Sequence, residues 1–167
     1  RTPWTEALLG PYLERRLEEL LPQSRIAVVL ERSGQAGRST RSDAAIRQLL
    51  GEHASLQRRT DGKPEVDGEA CVSTAHAGEL TLAVAGAAPV GCDLEAVSAR
   101  SAAAWRDLLG PERFSLAERM STETAEDFDT SATRVWTALE CLKKAGAMAD
   151  APLVLNAATK DGWILLS

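Results

Sequence analysis

A chain of 167 residues is long enough to bury its own core, as one compact domain or as two small lobes. Hydrophobic residues make up 44% and charged residues 26%, which argues against disorder, and no apolar run reaches the ~18 residues of a membrane span. The formal charge of −5 excludes a general affinity for nucleic acid unless a local basic patch supplies it.

The first predicted element is a helix. Leu8, Leu9, Tyr12, Leu13, Leu17, Leu20 and Leu21 recur at helical spacing between charged residues, Gly10-Pro11 predicts a break or restart, and Pro22 closes the run. Ile26–Leu30 reads as a strand. Ser33–Ser42, rich in Gly, Ser, Thr and Arg, reads as a mobile loop between Arg32 and a helix that starts at Ser42-Asp43. Asp61-Gly62-Lys63-Pro64 is a turn, and two or three strands are expected after it, roughly at Cys71–Ala75, Leu80–Ala85 and Val90–Glu95.

The second half is mostly helical. Ser115-Leu116-Ala117-Glu118 and Thr124-Ala125-Glu126-Asp127 have capping-box form, and the longest helix is expected from near Ser131 to Ala145. A closing hairpin pairs Val154-Leu155 with Trp163–Leu166 across an Asp161-Gly162 turn. Leu-Leu-Gly, at residues 8, 49 and 108, reads each time as a helix stop.

Cys71, Cys92 and Cys141 match no zinc spacing, and His53 and His76 are too few for a multi-histidine metal site. The chain opens without methionine or a basic-then-apolar leader, so reduced thiols, a cytoplasmic setting and a segment cut from a longer chain are expected.

Three clusters could carry chemistry. In Val90-Gly91-Cys92-Asp93-Leu94-Glu95, read as a strand, Asp93 and Glu95 share one face with Cα atoms roughly 6.5 to 7 Å apart. They repel unless a cation such as Mg²⁺ lies between them, the alternative being a solvated edge face. In the long helix, Trp136, Glu140 and Lys144 form a stripe at i, i+4 steps. That stripe is either an ordinary Glu–Lys surface pair or a carboxylate and an ammonium held in register for chemistry. Lys63 on its turn and His76 at a strand end are each either a phosphate ligand or an ordinary turn lysine and a satisfied histidine.

The order of these clusters resembles the 4′-phosphopantetheinyl transferases, in the longer type typified by the activator of surfactin synthetase. The resemblance runs from Asp43 to Gly146 and includes the segment Asp43–Gly51, whose analogous arginine is Arg47. It implies an α+β fold of two related lobes, about 1–95 and 96–167, each with antiparallel strands packed on a long helix and the second truncated. It further implies a Mg²⁺-dependent transferase that moves the phosphopantetheine of coenzyme A onto a serine of an acyl or peptidyl carrier protein and releases 3′,5′-ADP. Asp93, Glu95 and Glu140 would then hold Mg²⁺, Glu140 would help deprotonate the serine, and Lys144 would stabilise the departing nucleotide. Arg47, Lys63 with Pro64 beside it, His76 and Lys144 would bind the coenzyme. No nucleic acid or membrane partner is implied, and the chain would act as a monomer or as part of a larger synthase, such as an enediyne-type iterative polyketide synthase. Two positions depart from the family pattern: Ala75 stands where a serine often precedes the histidine, and Leu139 where a lysine often precedes the glutamate. Arg38, Arg41 or Lys143 would have to compensate. The competing readings are a non-catalytic docking domain of the same fold and a Mg²⁺-dependent diphosphate hydrolase.

Overall fold

The computed structural model describes residues 6–22, 26–32, 36–148, 150–158 and 163–166. These form a mixed α+β architecture with antiparallel sheets, divided into two compact units. The first holds the described residues through Leu94 together with Glu140–Gly146. The second holds Glu95–Leu139 and the described residues from Ala147 onward.

In the first unit, β1 (Ile26–Arg32), β5 (Leu80–Gly86) and β4 (Cys71–Ala77) make an antiparallel sheet in the order β1-β5-β4. Register assigns its faces. Val28 lies opposite Val84, Ser73 opposite Val84 and Ala75 opposite Leu82, so these residues share one face, while Thr74, His76, Thr81, Ala83 and Ala85 share the other. Leu13 and Leu17 of α1 (Glu6–Leu20) join Val28, Ala75, Val84 and Cys92 in the core on the first face. Helix α2 (Arg38–Leu50) takes the second, with Ala45 and Ile46 fully buried and Ser42 bonded to Thr74 and His76. Ala83, Val84 and Ala85 are buried in succession because helices cover the central strand on both faces.

Several expectations change here. Helix α1 runs unbroken through Gly10 and Pro11. Gly10 is buried, and a Cβ there would meet the β1 backbone at 3.7 Å, so the helix lies close to its strand. The packing that follows outweighs the one backbone bond that the exposed Pro11 removes. The loop expected over Ser33–Ser42 is shorter, because α2 already begins at Arg38, whose turn Gly37 opens in extended conformation. Residues 33–35 lie outside the described residues. The Asp61–Pro64 turn joins a small hairpin, β2 (Leu56–Arg58) with β3 (Pro64–Val66), whose strands are too short to leave an alternating pattern.

Val90–Glu95 is not a strand. No regular element occupies residues 87–101. Gly91 sits so close to the last helix that a Cβ on it would meet the Cys141 carbonyl oxygen at 1.9 Å, and Val90, Cys92 and Leu94 pack into the sheet core instead of pairing with a strand.

The second unit contains α3 (Ala102–Leu109), α4 (Pro111–Thr124), all but the end of α5 (Phe128–Lys144), and a hairpin of β6 (Leu155–Ala158) with β7 (Ile164–Leu166). Its core gathers Trp105, Leu109, Phe114, Met120, Ala132 and Val135, with Leu139 and Leu155 packed against it. Ser115 lies inside α4 rather than at a cap. The cap of α5 is Asp127, which accepts from the Thr130 amide at 3.0 Å and its hydroxyl at 2.6 Å, so the helix begins three residues earlier than expected. Leu-Leu-Gly stops α2 and α3 but not α1. The Asp161-Gly162 turn lies outside the described residues.

Candidate functional site

A cleft of about 710 Å³ in the first unit is lined by the β2–β3 turn, by β4 and by the end of α5. Three stretches of sequence thereby bring Lys63, Pro64, His76 and Lys144 to one cleft. Local geometry explains each placement. Gly62 takes a φ of +81°, and the Lys63 amide donates to Asp61 Oδ1 at 3.1 Å, which pins the turn. The Lys63 ammonium reaches Asp61 only at 4.0 Å and is about half exposed, so it can reach a ligand. Arg59 also lines the cleft, with Glu65 and Asp61 each 3.6 Å away. Arg59, Lys63 and Lys144 line the cleft beside Asp61, Glu65 and Asp67, so the formal charges of the lining balance, and Lys63 is the cation held least closely by a carboxylate.

Lys144 is the best-bound of them. Its Nζ donates to Asp93 Oδ1 at 2.8 Å and to the Cys92 carbonyl at 2.9 Å, with the Thr74 carbonyl at 3.5 Å. The Asp93 side chain is nine-tenths buried, and its Oδ2 has no hydrogen-bond partner among the described residues. A buried carboxylate oxygen of this kind is costly unless something else is meant to meet it.

The surface pair expected between Glu140 and Lys144 is not made. Lys144 turns to Asp93, while Glu140 meets Lys143 at 3.5 Å. Asp93 and Glu95 are also separated in character. With no strand there, the same-face argument fails: Asp93 is tied to Lys144 in the first unit, whereas Glu95 is exposed and opens the second. Glu95 borders a recess of about 260 Å³ with Trp105, Thr133 and Trp136. No group of three His, Cys, Asp or Glu side chains among the described residues is arranged to hold a metal ion. Arg47 is half-buried on α2 and does not line the cleft.

Arg58, Ser42 and Thr81 enter here unassigned from the sequence, while Arg41 and His76 gain defined partners. Arg41 is buried, donates to the Gly78 carbonyl at 3.0 Å, and has an Nε without a partner among the described residues. Arg58 donates to Gly62 and Ser39 carbonyls at 3.1 Å and pairs with Asp43, tying the turn to α2. His76 is bonded on both ring nitrogens, by Ser42 at 3.0 Å and by Thr81 at 3.1 Å. Burial first, then the charges of Arg41, Arg38, Lys144 and Arg58, hold its pKa below the ordinary 6.5, so the ring is neutral at pH 7. Burial pushes the Cys92 thiol up to about 12 and the Cys141 thiol to about 11, so neither is a nucleophile at neutral pH. The two departures from the family pattern are both packing positions: Ala75 is buried in the sheet core and Leu139 packs on the second core. Only the alternation of Thr74 and His76 on one strand face could have been read in advance. Ser42 and Thr81 reach His76 through α2 and β5, which local sequence does not reveal.

Comparison with known proteins finds no family model that matches the chain and no significantly similar curated protein. Among the described residues, no helix is long and apolar enough to cross a membrane.

Proposed function

We propose that this chain transfers the 4′-phosphopantetheine group of coenzyme A to a serine of an acyl or peptidyl carrier protein, leaving 3′,5′-ADP. The observation that carries this reading is the convergence of Lys63, His76 and Lys144 on one cleft. Two ammonium groups and a hydrogen-bonding neutral histidine from three separate stretches suit a ligand that carries phosphate.

Phosphoryl transfer asks a protein mainly for positioning and charge neutralisation. Lys63, held by a rigid turn, binds a phosphate as a point charge. Lys144, fixed by Asp93 and the Cys92 carbonyl, meets the charge that grows on the departing nucleotide. Glu140, one turn before Lys144 and outside the cleft lining, keeps among the described residues a loose contact to Lys143 and would take the proton of the attacking serine. Asp93 Oδ2 and the Glu140 carboxylate, both in the first unit, are hard oxygen donors of the kind Mg²⁺ takes and are the residues that would hold it. The ion, when bound, neutralises the pyrophosphate.

The test is to incubate the chain with coenzyme A, Mg²⁺ and an apo carrier and to weigh the carrier by mass spectrometry. Transfer adds one phosphopantetheine group and releases 3′,5′-ADP. Consumption of coenzyme A with an unchanged carrier would instead mean hydrolysis, and no consumption would mean docking alone. Lys63→Ala should raise KM for coenzyme A by roughly tenfold with kcat little changed, because a ground-state phosphate contact is lost.

A further inference from the structure

Thr74 and His76 line the cleft and belong, with the buried Ser42 and Thr81, to a chain of four hydrogen-bonding side chains whose direction can be derived. Thr81 Oγ1 bonds His76 Nδ1 at 3.1 Å, His76 Nε2 bonds Ser42 Oγ at 3.0 Å, and Ser42 Oγ bonds Thr74 Oγ1 at 3.1 Å. Thr81 is fully buried opposite His76 in the β4–β5 register, and Nδ1 is the only hydrogen-bond partner of its hydroxyl among the described residues.

If Nδ1 carried the proton, the Thr81 hydroxyl hydrogen would be buried without an acceptor. That arrangement is disfavoured. Thr81 therefore donates to Nδ1, the ring proton sits on Nε2, and Nε2 donates to Ser42. Ser42 is itself 2% exposed, so its own proton must go to its remaining partner, Thr74 Oγ1. Thr74 lines the cleft, and its hydroxyl proton has no acceptor among the described residues.

We propose that His76 is a positioning residue which, through Ser42, aims the Thr74 hydroxyl proton into the cleft, so that Thr74 is the neutral donor offered to a phosphate of the ligand. The ligand half of this proposal rests on the phosphate reading of the cleft; the ring tautomer does not. Protonation of the ring would turn Nδ1 into a second donor facing Thr81 and reverse that end of the chain. The cations facing the ring, Arg38 and Arg41 on α2, Arg58 on β2 and Lys144 on α5, oppose that event.

The chain has only two histidines, so nitrogen-15 spectra of the free protein contain two ring systems, assigned with His76→Gln. The expected result for His76 near neutral pH is one tautomer with the proton on Nε2. Thr81→Val should abolish that preference and Thr81→Ser should keep it. A proton on Nδ1, a mixture in the unaltered protein, or an unchanged Thr81→Val spectrum would overturn the proposal. Binding of 3′,5′-ADP, measured by calorimetry, reads the other half. Thr74→Val and Ser42→Ala should each weaken it by roughly fivefold, their combination no further, and Thr74→Ser should restore it. Unaltered affinity in Thr74→Val would overturn the donor role. Failure of the unaltered protein to bind 3′,5′-ADP would overturn the phosphate reading, and Thr74's ligand role with it, while the tautomer result would still stand.

Discussion

Lys144 shows how burial can overrule the partner that helical spacing favours. Glu140 is one turn away on the same helix, yet the ammonium pairs with Asp93, 51 residues distant, whose carboxylate is nine-tenths buried. A charge withdrawn from water gains more from a counter-charge than an exposed one does. Removing one member of the pair is therefore more damaging than removing both. Lys144→Ala leaves the Asp93 carboxylate buried without its counter-charge and should cost about 3 kcal/mol. The double variant with Asp93→Asn should cost clearly less than the sum of the single changes, as read from urea denaturation midpoints. The identity of both residues was legible in the sequence. Their pairing was not, because helical spacing shows only local neighbours. His76 gives a pH-dependent counterpart. Its native pKa lies below 6.5, so the unfolded chain takes up this proton first as the pH falls. The contribution to stability is full above 6.5 and is lost as pH drops through 6.5 toward the lowered native value. The stability difference between about pH 7.5 and about pH 5.5 should narrow in His76→Gln.

Among elements, the segment around Gly91 governs where Asp93 goes. Its glycine is required by proximity rather than by conformation, since an added Cβ would lie 1.9 Å from the Cys141 oxygen and 3.0 Å from the Ala145 nitrogen. Both obstacles are backbone, which cannot rotate aside. Gly91→Ala should therefore destabilise the chain by about 3 kcal/mol, at the upper end for overpacking, and should slow carrier modification by displacing Asp93 from Lys144. Gly91→Ser should be at least as damaging by both measures. The same close approach explains why a run that alternates like a strand does not form one. Its backbone packs against α5, and its apolar side chains fill the core of a sheet whose register already joins β4 to β5. Elements with a full helical or strand period, α2, β1, β4 and β5, were legible in kind and drifted mainly at their ends. The β2–β3 hairpin has three-residue strands, too short for any period to show.

At the scale of the whole molecule, the mixed α+β class and the antiparallel pairing follow from short apolar runs separated by glycine turns and amphipathic helices. The division into units does not follow sequence order. Glu140–Gly146 belongs with residues up to Leu94 although Glu95–Leu139 intervenes, so helix α5 contributes to both units. That return of the chain is what delivers Lys144, with Ala145 and Gly146, to a cleft built otherwise from residues 57–90. On the transferase reading the last turns of α5 carry chemistry and not only packing. The most direct measurement is the initial rate of carrier modification, by mass spectrometry with coenzyme A and Mg²⁺, for the unaltered protein beside Glu140→Gln. That change keeps size and helix propensity and breaks only a loose contact to Lys143. The expected result is transfer by the unaltered protein and a loss of roughly 10²-fold or more in the variant, with an unchanged melting temperature. An unmodified carrier, or a Glu140→Gln rate close to that of the unaltered protein, would contradict it.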